Sequence, residues 1–148
     1  MSRLIVVSNR VSMPSPDGSQ GGLAVALQAA LRQSGGLWFG WSGHEVEEFT
    51  GSVNFEEVDG VRSAVVDLEP QDVEEYYNGF ANRTLWPLFH YRIDIAKYNR
   101  SFGSGYERVN KRFAEPLHVM IEPGDTIWIN DYHLIPMASL LRDHGVKN

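Results

Sequence analysis

The sequence predicts an α/β fold built on an open, mostly parallel sheet with a β-hairpin insertion. Two continuous apolar runs, LIVVS at 4–8 and TIWIN at 126–130, each lead through a loop into a helix-like stretch. Runs of this kind are strands buried on both faces and joined by helical crossovers. Between them, SVNFEEV (52–58) and RSAVVDL (62–68) flank the turn signal Asp59-Gly60 and form a hairpin or two edge strands. A chain of 148 residues is long enough to bury one core and too short for two full domains.

Each element follows from local pattern. After the loop VSMPSPDGSQGG (11–22), Leu23, Leu27 and Leu31 fall at i, i+4 and i+8 of a helix that Gly35 and Gly36 stop. LWFGWSG (37–43) is aromatic and glycine-rich and receives no element of its own. In PQDVEEYYNGF (70–80), Val73, Tyr76, Tyr77 and Phe80 share one helical face, with acids in the first turn. LWPLFHYR (85–92) is a compact aromatic segment, and YERVNKRFAEPLHVMI (106–121) aligns Tyr106, Val109, Phe113, Leu117 and Met120 on one face. Pro116 is expected to kink or split that helix. The turn EPGD (122–125) precedes TIWIN, and DYHLIPMASLLRDHG (131–145) reads as a helix ending near Gly145. With no further strand after it, the sheet is expected to be unfinished, and the chain marginally stable or self-associating.

Composition narrows the function classes. With 43% hydrophobic, 22% charged and 11% aromatic residues, the chain is that of a globular protein. No run approaches the roughly 18 apolar residues of a membrane span, and the N-terminal apolar stretch ends too soon for a signal peptide, so a cytoplasmic protein is expected. The absence of cysteine excludes a disulfide framework, a thiol nucleophile and a thiolate zinc site. The net charge is −6, yet residues 44–75 hold 11 of the 19 acids and residues 76–112 carry seven bases against two acids. Those bases alternate with Tyr and Asn, which favours a solvated face over a nucleic-acid surface.

Ligands of open α/β sheets bind at the carboxyl ends of the strands, so residues there are the candidates. Asn9 and Arg10 follow the first run, and the Arg10 fork can hold a phosphate bidentately or pair with the acidic segment. Gly21-Gly22 can aim helix-start amides at an anion, and serves a flexible turn equally well. Asp131 can accept hydrogen bonds from sugar hydroxyls, while His133 reads as structural; D-Y-H without a third ligand is weak as a metal site. Among the many aromatics, Trp41 and Trp86 are the ones expected to escape core packing and face a sugar ring.

Taken in order, RLIVVSNR, the GGL loop, GGLWFGWSG, EYYNGFANRTLWPLFHYR, Y-x-x-VN-x-x-FA and IWINDYHLIPMASLLR closely resemble the amino-terminal part of trehalose-6-phosphate synthases over nearly the whole chain. The resemblance implies a retaining glycosyltransferase of GT-B architecture, with residues 1–148 an incomplete, Rossmann-like acceptor-side domain and the donor domain absent. Its substrates would be glucose 6-phosphate and UDP-glucose, giving trehalose 6-phosphate and UDP without metal or cofactor. By the same resemblance, Arg10 and Tyr77 would bind the acceptor phosphate, Trp41 and Trp86 would line the acceptor pocket, and Asp131 would hold glucose hydroxyls. Gly21 and Gly22 would close over the donor diphosphate. The family's proteins are much longer, and the basic residues and histidine they use downstream have no counterpart here, so this chain alone is expected to be inactive. Asn130 stands where many relatives carry histidine. Two other readings stay open, a glucosylglycerol-phosphate synthase-like enzyme and a non-catalytic sugar-phosphate-binding module. No nucleic-acid or membrane partner is expected, and a homo-oligomer is possible.

Overall fold

Five strands form one mixed sheet: β1 (Leu4–Arg10), β2 (Leu37–Glu45), β3 (Asn54–Val58), β4 (Val61–Leu68) and β5 (Thr126–Ile129), in the order β3-β4-β2-β1-β5. The computed structural model describes residues 2–18 and 20–148; Met1 and Ser19, the latter inside the predicted loop 11–22, lie outside the described residues. β1 runs parallel to both β2 and β5, β2 runs parallel to β4, and only β3 is antiparallel. The predicted hairpin is therefore present, but β4 is not an edge strand. The segment 37–43, whose pattern predicts no element, is part of the central strand β2: Leu37 to Trp41 are all buried, and Gly40 and Gly43 break the apolar run that marks a buried strand.

Side-chain alternation sends the sheet's two faces into two layers. Val6 and Trp38 pack with Leu27 and Leu31 of α1 (Gly22–Ser34). Leu23, expected on that buried face, is 54% exposed in the first turn of α1, and Gln28 is buried instead. On the opposite face Ile5, Val7, Phe39, Trp41, Val66 and Leu68 form the larger core with Tyr76, Tyr106, Val109, Phe113 and Leu117.

That second layer is a helix pair. The first helix opens as α2 (Pro70–Asp72), continues as a π-helical segment (Val73–Leu85) and closes as α3 (Trp86–Phe89), longer than the predicted 70–80. A widened helix of this kind is rare and recurs at functional sites. Its partner α4 (Arg100–His118) starts at the Asn99 cap, whose side chain accepts from Ser101 N at 3.0 Å. Pro116 lies in its last turn without splitting it, since Val109, Phe113 and Leu117 hold that face against the sheet. The two helices approach so closely that a Cβ on Gly105 would lie 2.3 Å from Glu75 Cβ. Asp72, fully buried, takes the guanidinium of Arg108 at 2.7 Å and also that of Arg112, while Arg108 reaches Glu75 at 2.8 Å. The bases of the 76–112 stretch are thus consumed in part by the acids that precede them.

After β5 the predicted single helix is divided into a 3₁₀ turn (Tyr132–Leu134) and α5 (Met137–Asp143), with Pro136 at the junction. Among the described residues, no helix is long and apolar enough to cross a membrane.

Candidate functional site

The carboxyl ends of β1, β2 and β5 carry a continuous row of aromatic and charged groups. β1 leaves its register with β2 between Val7 and Arg10, and Ser8, which accepts from Trp38 Nε1 at 2.8 Å, donates to the Arg10 carbonyl at 2.9 Å. Val11 N donates to Trp41 O at 3.1 Å, so the chain at Arg10 is held on both sides. The exposed Arg10 guanidinium lies over the Trp41 ring, 6.0 Å from its centroid, a cation–π placement. Among the described residues no carboxylate reaches it within ion-pair distance, so the alternative of a pair with the acidic segment is not realised.

Gly43 makes this placement possible. Its φ of +89° suits glycine, and a Cβ there would lie 2.8 Å from Arg10 Nε and Nη2. The glycines flanking Trp41 signal an exposed backbone in the sequence, but not that Gly43 makes room for Arg10.

From Trp41 the row continues across the layers. The Trp41 and Tyr77 rings are 6.1 Å apart, Tyr77 stacks on His133 at 5.7 Å, His133 on Tyr132 at 4.2 Å, and Tyr132 lies 5.6 Å from Trp86. Trp86 is 48% exposed and backed by His90, whose ring is 3.8 Å away; Trp41, by contrast, is only 7% exposed and packs in the larger core, so it does not escape core packing as expected. Asp131 is exposed and held at φ +80°, its carboxylate accepting from Tyr132 N at 2.8 Å. Non-glycine residues at such angles are strained, and strain of this kind gathers at ligand sites.

A buried polar tier supports the row. Tyr76, inaccessible to solvent, donates from its hydroxyl to Asn9 Oδ1 at 2.7 Å and so ties the π-helical segment to the end of β1. The Tyr106 hydroxyl donates to Tyr132 O at 2.6 Å and accepts from Ile135 N at 3.2 Å, and Asn110 Nδ2 donates to His133 O at 3.1 Å. Burial holds the Tyr76 phenol well above its ordinary range and raises that of Tyr106 to about 12, so both remain protonated donors. Burial lowers the pKa of His133 against the opposing pull of Asp131, and a neutral imidazole results. The structural role expected for His133 is visible in these stacks; Tyr106, expected only as a core-face residue, and Tyr132 and Asn110, which enter only as motif letters, gain supporting roles that the sequence does not assign.

Trp41 neighbours both Arg10 and Tyr77, and His133 and Tyr132 connect Tyr77 to Trp86. Gly21 and Gly22 belong to the α1 layer, on the other side of the strand ends. Both are exposed, Gly21 precedes α1 with no side-chain cap, and the space a Cβ would enter at either is open. The geometry thus offers a cationic fork and sugar-sized aromatic faces on one side, and free helix-start amides on the other.

The profile of "Glycosyltransferase family 20" matches residues 4–148. A curated trehalose-6-phosphate synthase of Sinorhizobium fredii is 50% identical over 152 aligned positions, which cover 100% of this chain and 33% of that protein. Among solved structures, the UDP-forming alpha,alpha-trehalose-phosphate synthase of Burkholderia vietnamiensis superposes with a TM-score of 0.93 at 48% identity, covering 100% of this chain and 32% of that one. The Burkholderia xenovorans enzyme, solved in complex with glucose-6-phosphate, gives 0.89 at 47% identity, covering 99% and 32%. These neighbours have GT-B architecture, and the α/β sheet described here is part of it. The chain spans about a third of the length of the relatives it matches. With the profile covering nearly every residue, this chain belongs to glycosyltransferase family 20.

Proposed function

We propose that this chain forms the acceptor side of a retaining, cytosolic glycosyltransferase that moves glucose from UDP-glucose to glucose 6-phosphate, releasing UDP and trehalose 6-phosphate. The observation that carries the reading is the Arg10 guanidinium, poised over Trp41 with no carboxylate in ion-pair reach among the described residues, while Tyr77 neighbours the same indole ring. A permanently charged fork is suited to a sugar phosphate, and indole rings suit the sugar. In this reading Arg10 and Tyr77 bind the phosphate, Trp41 and Trp86 line the acceptor pocket, and Asp131 accepts from glucose hydroxyls. Gly21 and Gly22 approach the donor diphosphate on the α1 side, whose further neutralisation falls to residues outside this chain.

The acceptor's anomeric oxygen bonds to the donor's anomeric carbon on the face from which UDP departs, as the bond to the phosphate oxygen breaks. That departing oxygen takes the acceptor's proton, and the product is an α,α-1,1 glycoside. The protein's part is positioning and charge stabilisation, which need neither a protein nucleophile nor a metal.

In full-length protein carrying these residues, UDP release from UDP-glucose should depend on glucose 6-phosphate and yield trehalose 6-phosphate. Preference for glycerol 3-phosphate would replace this reading with that of a glucosylglycerol-phosphate-forming enzyme.

A further inference from the structure

A second cluster of ligating side chains lies at the opposite end of the sheet. Glu115 and His118, three residues apart in the last turns of α4, meet His144, which caps the end of α5. One ligand atom from each of the three can be chosen so that all lie within 4.8 Å of one another. His144 Nε2 is 3.4 Å from Glu115 Oε2, and the two imidazoles stack with centroids 4.2 Å apart and planes within 10°. Both rings also line an open surface cavity with Ile121, Pro123 and Gly124, so a further coordination position would face solvent.

We propose that Glu115, His118 and His144 form a three-ligand site for a borderline divalent transition ion of the zinc class, completed by water. Two imidazoles and one carboxylate select such an ion over magnesium or calcium, which prefer all-oxygen shells. An ion must lie in the plane of each ring it binds, and the two rings are stacked, so binding turns one of them about χ2. His144, at the end of a short helix and partly exposed, is the ring free to do so. Clamping α4 to α5 this way joins the two helices that flank β5 at their carboxyl ends. The ion takes no part in the glucosyl transfer, whose groups stand at the other ends of the strands.

The test is a calorimetric titration of the 148-residue chain with Zn²⁺ in slightly alkaline buffer, with circular dichroism on every variant. One ion should bind saturably, and H118N and H144N should each weaken it about tenfold or more, whereas H44N should leave it unchanged. Binding that is equally tight in the H118N/H144N double variant, or no saturable binding by the wild-type chain, overturns the proposal. A second readout is independent of any variant's folding: Co²⁺ should broaden amide resonances around residues 115–118 and 144 of the wild-type chain. Broadening centred on His44 or His90 would overturn the assignment.

Discussion

The rings of Tyr77 and His133 stack at 5.7 Å with planes 21° apart, joining a helix of one supersecondary unit to the turn after the last strand of another. Tyr77 is thereby fixed between His133 and Trp41, so the proposed acceptor site draws on residues far apart in the chain. The positions that build this rim separate into those proposed to bind and those that hold them in place.

Gly43→Ala tests the second kind. A methyl group at φ +89°, 2.8 Å from the Arg10 guanidinium, displaces that side chain and costs about 1–3 kcal/mol in backbone strain. Glucose 6-phosphate affinity should fall while the far-ultraviolet circular dichroism spectrum is retained. Unchanged affinity would separate Arg10's position from its function.

Asp72→Ala removes the carboxylate that Arg108 and Arg112 share in the interior. Breaking one side of a buried ion pair leaves charge uncompensated, and the loss expected in urea unfolding is about 3 kcal/mol. A variant as stable as the wild type would show that Glu69 and Glu75 suffice for both arginines.

Gly105→Ala forces a methyl into the contact with Glu75, where its Cβ would come within 2.3 Å of another. Overpacking at such a helix crossing should cost about 1–3 kcal/mol and lower the thermal midpoint. Gly124, with open space around it and φ +92°, serves as a control for strain without crowding.

Stability should also depend on His133. Its pKa is lowered in the fold by burial, so the unfolded chain binds the proton more readily and unfolding takes up protons as the medium becomes acidic. Wild-type stability should fall as pH drops below about 6.5, and His133→Phe, which keeps a ring between Tyr77 and Tyr132, should flatten that slope. Glu69, held low mainly by the Phe49 backbone amide, and Asp125, held low mainly by the hydrogen bond from Arg3, add their losses only at more acidic pH. Parallel slopes for the wild type and H133F would contradict the assignment.

Much of this architecture was legible in the chain because period and punctuation agree locally. LIVVS and TIWIN declare themselves as buried strands, and the spacing of Val73, Tyr76 and Tyr77 declares a helix face. β2 escaped because glycines interrupt its apolar run, yet those glycines belong to the close packing at Gly40 and to the register shift around Gly43. Pro116 misled because its local cost is outweighed by the tertiary packing of Phe113 and Leu117. Arg10 and Asp131 could be ranked by their places at strand ends, and Trp41 by the glycines beside it. The supports Tyr106 and Asn110 could not, since a polar group in a helix interior acquires its meaning from the segment it meets, here Tyr132 and His133.

The central claim is that the acceptor phosphate site is carried by this chain. Calorimetric titration with glucose 6-phosphate, against free glucose and Arg10→Ala, tests it most directly. The account predicts saturable binding that requires both the phosphate and Arg10. Binding that survives Arg10→Ala, or none by a chain shown to be folded, would contradict it.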